Sequence, residues 1–219
     1  MTGSATADPV AFIQAQTAIA APPLTPEIRL HLATEITPIW EATEATLAAI
    51  NLPPPYWAFA WAGGQALTRF LMDHPEWVKG KTVLDFAAGS GLSAIGAAKA
   101  GAAKVQAAEI DDFALAAIAL NARTNNVAID VVREDLVGSA PRWDVVLAGD
   151  VCYERPMAER VIAWFRVLAG RGVAILMGDP GRAYLPESGL LELARYQVPT
   201  SLELEDRTTR ETIVWRLMP

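Results

Sequence analysis

A carboxylate and a tyrosine stand together where a hydrophobic run of the chain ends. Residues 143–150 read WDVVLAGD, a pattern typical of a buried strand that finishes on Asp150, and Tyr153 follows three residues later. A carboxylate at the end of a strand binds and orients a cationic group, and a tyrosine ring packs against the methylene groups of a long side chain. The alternative is that Asp150 only caps a helix that begins near Arg155.

A glycine-rich loop forms the second chemical feature of the sequence. In DFAAGSGLSA (85–94), Gly89, Gly91 and Ala94 fit the pattern G-x-G-x-x-A, and Glu109 lies 20 residues after Gly89. Taken alone, this spacing matches the fingerprint of a dinucleotide-binding loop. It also fits the loop that binds S-adenosylmethionine (AdoMet), in which glycines let the backbone approach the amino-acid part of the cofactor and the acid receives the ribose hydroxyls.

Three features favour AdoMet over a dinucleotide. Asp85 lies four residues before Gly89, and its carboxylate suits a cofactor with a cationic amino group but would repel a pyrophosphate. The chain closes with a predicted hairpin, which is typical of methyltransferase sheets. A dinucleotide-binding domain that starts the chain would carry this loop near the N-terminus, whereas here the loop lies far from it. We predict AdoMet, and an NAD-type oxidoreductase is the alternative from another class.

Other residues are candidates for contact with the cofactor. Asp135 ends the third predicted strand, at the place where this fold holds the adenine amine. The alternative is that Asp135 is a solvated acid of a loop. Trp61 would pack over the cofactor beside Gly63 and Gly64, with a core tryptophan as the alternative. The predicted cofactor-binding residues are Trp61, Gly64, Asp85, Gly89, Gly91, Glu109, Asp135 and Asp150, and the predicted catalytic residues are Asp150 and Tyr153.

The elements that position these residues alternate from about residue 80 onward. Strands are predicted at 81–88, 104–110, 128–135, 143–150 and 172–179, and helices at 91–102, 111–126 and 155–170. This alternation indicates an α/β, Rossmann-like fold with a mostly parallel sheet, helices on both faces and ligands at the carboxyl ends of the strands.

The C-terminal part of the chain is predicted to close the sheet. SLELED (201–206) and ETIVWRLM (211–218) look like two strands, and the segment after Pro186 is expected to be helical. The connection between the two strands is too short for a parallel crossover. They should therefore form a hairpin, which brings the sheet to seven strands and makes one of them antiparallel.

Residues 1–79 lack this alternation and are predicted to form a helical N-terminal extension that packs on a methyltransferase domain of residues 80–219. TPEIRLHLA (25–33) is expected to be a helix with Thr25 as its N-cap. The segment 51–71 combines a proline-stiffened turn, an aromatic cluster and a helix entered through two glycines.

Composition limits the remaining function classes. The 219 residues carry a formal net charge of −7, and the 18 Lys and Arg are scattered, so a nucleic-acid partner is not expected. His31 and His74 lie far apart with no Cys or His partner nearby, so no metal site is predicted. A single cysteine, no apolar run of the roughly 20 residues of a membrane span and no basic leader before Val10 indicate a cytoplasmic protein. We expect a monomer that contacts no membrane.

Several motifs together resemble one family of enzymes. D-F-A-A-G-S-G (85–91) resembles the AdoMet-binding motif of class I, seven-strand methyltransferases, and D-V-C-Y (150–153) resembles the acid-x-x-aromatic motif of the family 16 lysine methyltransferases. PYWAFAWAGGQAL (55–67) and LMGDPGR (176–182) look closest to the members of that family that act on the electron transfer flavoprotein β subunit. The resemblance implies an AdoMet-dependent protein-lysine N-methyltransferase with that subunit as its partner.

The acid at position 150 favours a lysine substrate. Enzymes that methylate exocyclic or amide nitrogens typically carry a neutral Asn at this place, whereas Asp suits a cation. A lysine amine has an ordinary pKa of about 10.4 and arrives protonated, so Asp150 is assigned chiefly to binding and orienting the ammonium, with proton acceptance as a lesser role. Tyr153 would line the lysine channel. Another protein substrate, a small-molecule amine and a catalytically idle scaffold remain alternatives.

Overall fold

The computed structural model of the protein describes residues 8–33 and 54–219. In chain order its helices and strands are α1 (Pro9–Gln16), β1 (Ala18–Ala20), β2 (Leu30–Leu32), α2 (Ala62–Asp73), β3 (Thr82–Phe86), α3 (Leu92–Lys99), β4 (Lys104–Glu109), α4 (Asp112–Thr124), β5 (Asp130–Arg133), β6 (Val145–Gly149), α5 (Arg155–Ala169), β7 (Ala174–Asp179), β8 (Leu190–Pro199), α6 (Leu202–Glu205) and β9 (Thr209–Leu217). Short 3-10 turns lie at Tyr56–Ala58 and Pro75–Trp77.

The main sheet has seven strands in the order β5-β4-β3-β6-β7-β9-β8. The first five of these are parallel to one another, and β9 runs antiparallel to both β7 and β8. Because β3, β4, β6 and β7 are parallel, their carboxyl ends lie at one edge of the sheet. The predicted Rossmann-like fold, mostly parallel with an antiparallel C-terminal hairpin, is confirmed.

Both faces of the central strands are covered by helices, which explains their nearly continuous apolar sequence. In β6, Val145 packs in the core under α2 and α3, whereas its neighbour Val146 packs in the core under α5. Trp164 and Phe165 of α5 are buried against Phe86. These two aromatic residues thus belong to the core, as the amphipathic pattern of their helix predicts.

The closing hairpin uses a different segment from the predicted one. Residues 190–199, expected to be helical, form β8 and pair with β9 from Leu190 opposite Leu217 to Pro199 opposite Thr209. Residues 202–205, expected to be a strand, form the short helix α6. The L-E-L-E alternation spans too few residues to fix a strand, whereas the long ladder with β9 outweighs the helix-forming residues of the preceding segment.

The helix predicted at 25–33 is also wrong. Leu30–Leu32 forms β2, which pairs antiparallel with β1, and the Oγ of Thr25 is buried without a hydrogen-bond partner among the described residues instead of capping a helix. Ile28 and Leu30 are both fully buried and pack against Leu92 and Ile95 of α3. A period of two residues between buried side chains belongs to extended backbone.

Residues 62–78 of the N-terminal region contact the sheet and its helices. The helix predicted after the paired glycines is α2, whose residues Leu67 and Leu71 are buried in the core it shares with the sheet. Residues 1–7 and 34–53, which include the start of the predicted proline turn, lie outside the described residues. The boundary between residues 79 and 80 stays a prediction.

Candidate active site

The carboxyl ends of four parallel strands bring four acids to one edge of the sheet. Asp85 lies in β3, Glu109 ends β4, Asp150 follows β6 and Asp179 ends β7. Asp85, Asp150 and Asp179 are buried, and a buried carboxyl group needs hydrogen bonds or a cation to stay ionised. The partners of each acid therefore decide its chemistry.

The loop after β3 has the backbone conformation that its glycines allow. Gly89 and Gly91 both have left-handed backbone, with φ of 53° and 78°. A Cβ on Gly91 would lie 3.2 Å from the side chain of Ile118, so this glycine is required by packing as well as by its backbone. A Cβ on Gly89 would meet nothing within 4 Å. The backbone of the loop is thus open to a ligand at Gly89.

Two acids flank this loop. Asp85 accepts a hydrogen bond from the Ala94 backbone N–H (2.8 Å) in the first turn of α3, and Glu109 accepts one from the Gly89 N–H (2.8 Å). Burial raises the pKa of both carboxyl groups above their usual values. Each acid lacks a cation within the described residues, so the site suits a ligand that brings a cationic amino group and hydroxyl donors.

Asp135 has a different environment from the other predicted cofactor acids. Its side chain is half exposed, and it accepts hydrogen bonds from Arg160 (2.9 Å) and from the Val137 N–H (3.1 Å). The hydrogen bond from Arg160 lowers the pKa of Asp135. The structure therefore ties Asp135 to α5, and its contact with an adenine amine stays a prediction.

Asp150 receives four hydrogen bonds from two sides. Its Oδ2 accepts from the backbone N–H groups of Gly63 (2.6 Å) and Gly64 (3.2 Å), at the start of α2. Its Oδ1 accepts from Nε (2.9 Å) and Nη2 (2.7 Å) of Arg182. The alternative that Asp150 caps the helix beginning at Arg155 is wrong, because the N–H groups it binds belong to α2.

The charge of Asp150 results from opposing effects. Burial raises its pKa and the Arg182 guanidinium lowers it, and the net result is a pKa of about 6. Asp150 itself has left-handed backbone, with φ of 55°, a conformation that Asp tolerates better than most residues. A carboxyl group with this pKa is mostly ionised at neutral pH.

Close glycine contacts bring α2 within reach of Asp150. A Cβ on Gly63 would collide with the carbonyl oxygen of Gly178 and with the Asp150 carboxylate, and a Cβ on Gly149 would lie 2.9 Å from the Cα of Gly64. Only glycines allow a helix N-terminus to approach two strand ends this closely. Gly64, predicted as a cofactor contact, is thus placed by the structure as a backbone donor to Asp150.

Aromatic rings surround the exposed side of the site. Tyr153 is 45 % exposed and its ring centroid lies 5.7 Å from that of Tyr56. Burial of the phenol raises the pKa of Tyr153 to about 12, so it stays protonated. Trp61 is half-buried, donates its Nε1–H to the Tyr56 carbonyl oxygen (2.9 Å) and stacks with Arg182, whose guanidinium carbon lies 5.8 Å from the ring centroid. Trp61 thus lies at the rim of the site.

Three residues of the site were missed in the sequence. Arg182 binds Asp150 and also Glu205, with Nη2 to Oε1 at 2.7 Å and Nη1 to Oε2 at 3.1 Å. Asp179 accepts hydrogen bonds from the backbone N–H groups of Gly181 and Arg182. The GDPGR stretch was a usable signal for two of them, because an arginine three residues after a strand-end acid can turn back to the same edge. Glu205 lies in the segment predicted wrongly as a strand.

A groove of about 250 Å³ opens next to this cluster. It lies between the N-terminal region and the connection that follows β8, and most of its lining is apolar. Its lining includes Pro22, Leu32, Phe59, Trp61, Pro199 and Glu205. Trp61 and Glu205 both contact Arg182, so the groove shares two residues with the surroundings of this arginine.

Other features bear on the function class. Within residues 8–33 and 54–219, no group of three or more His, Cys, Asp or Glu is placed to hold a metal ion. None of the helices described is long and apolar enough to cross a membrane. Cys152 is buried, and burial raises the pKa of its thiol to about 12. A thiol with this pKa is not a nucleophile at neutral pH.

The fold and the family comparison define the class of protein. Residues 29–153 match the family described as ribosomal protein L11 methyltransferase (PrmA). Magnesium protoporphyrin IX methyltransferase from Synechocystis PCC 6803, solved with bound SAM, covers 71% of this chain and 78% of its own with a TM-score of 0.53 at 16% identity. A ribosomal protein L11 methylase from Lactobacillus delbrueckii gives 0.51 at 20% identity, over 74% and 81% of the two chains. The chain is a class I methyltransferase, which sets the oxidoreductase alternative aside.

Comparison with curated proteins narrows the class. The electron transfer flavoprotein beta subunit lysine methyltransferase of Xenopus laevis is 37% identical over 96% of this chain and 87% of its own length. The proteins of that name from Danio rerio and Homo sapiens are 36% and 32% identical, over 88% and 90% of this chain and 76% of each relative. The chain belongs to the family of electron transfer flavoprotein β subunit lysine methyltransferases.

Proposed function

We propose that the protein transfers methyl groups from AdoMet to lysine side chains of the electron transfer flavoprotein β subunit. The observation that carries the proposal is the position of Asp150 at the carboxyl end of β6, where it already binds a cation, the Arg182 guanidinium, beside the half-exposed Tyr153. A negative group at this place matches a cationic amine. A family that methylates a neutral amide would have no use for the charge.

AdoMet would be held by the loop that follows β3 and by the acid that ends β4. The open backbone at Gly89 fits the amino-acid part of the cofactor. A cationic amino group near Asp85 would compensate the buried carboxylate, and Glu109 would accept from the ribose hydroxyls. When bound, AdoMet supplies a methyl group on a sulfonium centre, which is a good leaving group. The protein therefore needs to orient the amine and to let it lose a proton, and needs no acid for the leaving group.

Asp150 and Tyr153 would orient the substrate amine. The carboxylate attracts the ammonium, and the ring of Tyr153 lines the approach with its hydroxyl protonated. A nearby anion favours the charged amine, so Asp150 opposes the deprotonation that the attack requires. Desolvation of the amine and the charge of the sulfonium act in the opposite direction. We therefore assign Asp150 chiefly to binding and orientation.

The electron transfer flavoprotein β subunit is proposed as substrate because the relatives that cover most of this chain carry that activity in their names. The net charge of −7 favours a partner with a basic surface around the target lysine. The most direct test incubates the pure protein with that subunit and AdoMet, followed by mass spectrometry of the subunit. Methylated lysine is expected, and its absence would contradict the proposed substrate.

Replacement of Asp150 by Asn tests the role of its charge. The amide keeps the shape of the side chain and loses one charge-assisted interaction, which lowers the methylation rate by about 10–150-fold. AdoMet affinity, measured by calorimetry, should stay close to the parental value because the cofactor loop is unchanged. Asp130→Asn, at an exposed acid of β5, is the matched control. A parental rate in Asp150→Asn would leave the side chain only as an acceptor for the first N–H groups of α2.

A cytoplasmic, monomeric protein is part of the proposal. The one cysteine of the sequence is buried and free, which suits a reducing compartment. Cell fractionation tests the location, and enrichment in a membrane or periplasmic fraction would contradict it. Size-exclusion chromatography with light scattering tests the monomer.

A further inference from the structure

The hydrogen bonds of Asp150 leave no room for a substrate. A carboxylate has about four lone-pair positions, and all four are used here: two by the N–H groups of Gly63 and Gly64 and two by Arg182. The backbone donors are fixed by the close contact of α2 with the strand ends. The guanidinium is therefore the donor that must yield if a substrate ammonium is to bind Asp150.

Arg182 already contacts a second carboxylate that can hold it. Its Nη1 and Nη2 donate to Glu205 of α6 at 3.1 and 2.7 Å, while its Nε and Nη2 donate to Asp150. Trp61 lies against the guanidinium at 5.8 Å. When the bonds to Asp150 break, Arg182 keeps a carboxylate and an aromatic partner. Its release thus leaves no buried unpaired charge.

The charges around this site also leave room for one more cation. Three carboxylates face two guanidinium groups among the described residues, and Oδ2 of Asp179 is buried without a hydrogen-bond partner. The neutral thiol of Cys152 adds no charge. The charged groups that face Asp150 directly or through a partner are Asp179 of β7, Arg182 of the following loop, Glu205 of α6 and Arg210 of β9.

We propose that Arg182 is a positioning residue that occupies the amine-binding side of Asp150 in the free enzyme and passes to Glu205 when the substrate lysine arrives. This rests on the proposed function, because the substrate amine is the cation that displaces the guanidinium. In the exchange, one cation replaces another on Oδ1, and no proton or covalent bond changes. The amine is thereby selected for its ability to replace an arginine, which a neutral amide cannot do.

Glu205→Gln tests the exchange in the full-length protein. The amide is a weaker acceptor for a guanidinium, so Arg182 stays on Asp150 and the KM for the flavoprotein β subunit rises by about 10-fold. The kcat at saturating substrate and the AdoMet affinity should change much less. Glu192→Gln is the matched control, since it removes a carboxylate from the exposed pair with Arg195. An unchanged KM in Glu205→Gln, or an equal loss of kcat, contradicts the exchange.

A second measurement does not depend on activity or on the identity of the substrate. The protein is prepared with arginine labelled with nitrogen-15, and the Nε–H signal of Arg182 is assigned as the signal that is missing from the spectrum of Arg182→Lys. It is then followed by NMR while n-butylammonium chloride, the end of a lysine side chain, is added. A saturable shift is expected, and sodium chloride at the same concentration should not produce it. A signal unmoved by butylammonium, or moved equally by sodium chloride, contradicts the exchange.

The two experiments separate the exchange from the proposed function. If the parental enzyme does not methylate the flavoprotein subunit, the proposed substrate is wrong, and the butylammonium titration still decides whether Arg182 yields to an amine. If methylation occurs and the Arg182 signal stays fixed, the substrate is right and the exchange is wrong.

Discussion

Asp150 combines burial, a cation and a helix N-terminus around a single carboxyl group. Burial disfavours its charge, whereas Arg182 and the N–H groups of α2 favour it. The resulting pKa of about 6 lies above the ordinary 3.8. Because this value is close to neutral pH, both the activity and the stability of the protein should depend on pH through Asp150.

The stability effect has a definite sign. The folded protein holds the Asp150 proton more tightly than the unfolded chain does, so its contribution is largest below pH 3.8 and is lost as pH rises through about 6. The loss is on the order of 3 kcal/mol. Asp150→Asn cannot ionise, so its free energy of unfolding should fall less between about pH 4 and about pH 7. Urea unfolding at the two pH values measures the difference.

Asp130→Asn serves as the control for this measurement, because its side chain is exposed at the start of β5. The other acids whose pKa is raised by burial, such as Asp85 and Glu109, are present in all three proteins and cancel in the comparison. If the free energy of unfolding falls equally between the two pH values in Asp150→Asn and in the parental protein, Asp150 does not titrate in this range. Methylation by the parental enzyme should rise through the same window, opposite to the stability.

The sequence predicted which residues form the site better than it predicted the hydrogen-bond partners of those residues. The strand-end positions of Asp150 and Glu109 follow from hydrophobic runs that stop at an acid, which is a local pattern. The bonds of Asp150 to α2 and Arg182 join segments that are distant along the chain, at sequence separations of 87 and 32. No spacing rule contains such contacts, because they depend on which strands become neighbours.

The helix α2 is the element on which the site depends most. Its N-terminus lies against the ends of β6 and β7, and a Cβ on Gly178 would collide with the carbonyl oxygen of Gly63. Both N–H groups that bind Asp150 come from this first turn. The strand ends and the helix are thus held at the distance that glycine alone permits.

Gly178→Ala should destabilise the protein and displace α2. The added methyl group meets backbone, which cannot rotate away, so we expect a loss of about 3 kcal/mol in the free energy of unfolding. Gly64→Ala is the matched control, because its Cβ would lie 3.9 Å from Leu92 and alanine is the better helix former. Urea unfolding of both variants provides the test. Equal stabilities would mean that the close approach is not required.

The elements themselves were predicted unevenly. The βα alternation between β3 and β7 follows from periodic apolar runs and glycine-rich turns, and it was predicted with few errors. The hairpin of β8 and β9 was misplaced, because the helix-forming residues of Leu190–Pro199 were weighed without the partner strand. Whether a segment forms an edge strand depends on its hydrogen bonds and side-chain contacts with the neighbouring strand, and its own sequence indicates little about that pairing.

A buried side chain connects β2 of the N-terminal region to the cofactor loop. Asn121 of α4 accepts a hydrogen bond from the His31 backbone N–H (2.8 Å) and donates one to the Ser90 carbonyl oxygen (2.9 Å). Ser90 lies between the two glycines of the loop. Asn125, one turn further along, binds both the N–H and the carbonyl oxygen of Arg29 and donates to the Asn121 carbonyl oxygen, and none of these three bonds goes to the loop.

This difference allows the coupling between the two regions to be measured. Asn121→Ala leaves the buried N–H of His31 in β2 without its partner, and Asn125→Ala does the same to the part-buried backbone groups of Arg29, so each should lower the free energy of unfolding by about 1–3 kcal/mol. Only Asn121→Ala also frees the Ser90 carbonyl. The loop then loses an anchor at the position where we propose that its backbone contacts the cofactor, and AdoMet affinity should fall by roughly 10-fold.

Calorimetry with AdoMet at a temperature where both variants are folded gives the decisive comparison. Asn125→Ala should bind with the parental affinity, because its lost side-chain bonds, to Arg29 and to the Asn121 carbonyl oxygen, do not involve the Ser90 carbonyl. Equal affinities in the two variants would show that the loop is held without help from the N-terminal region. A loss in Asn121→Ala alone would show that residues predicted as an extension of the methyltransferase domain take part in shaping its cofactor site.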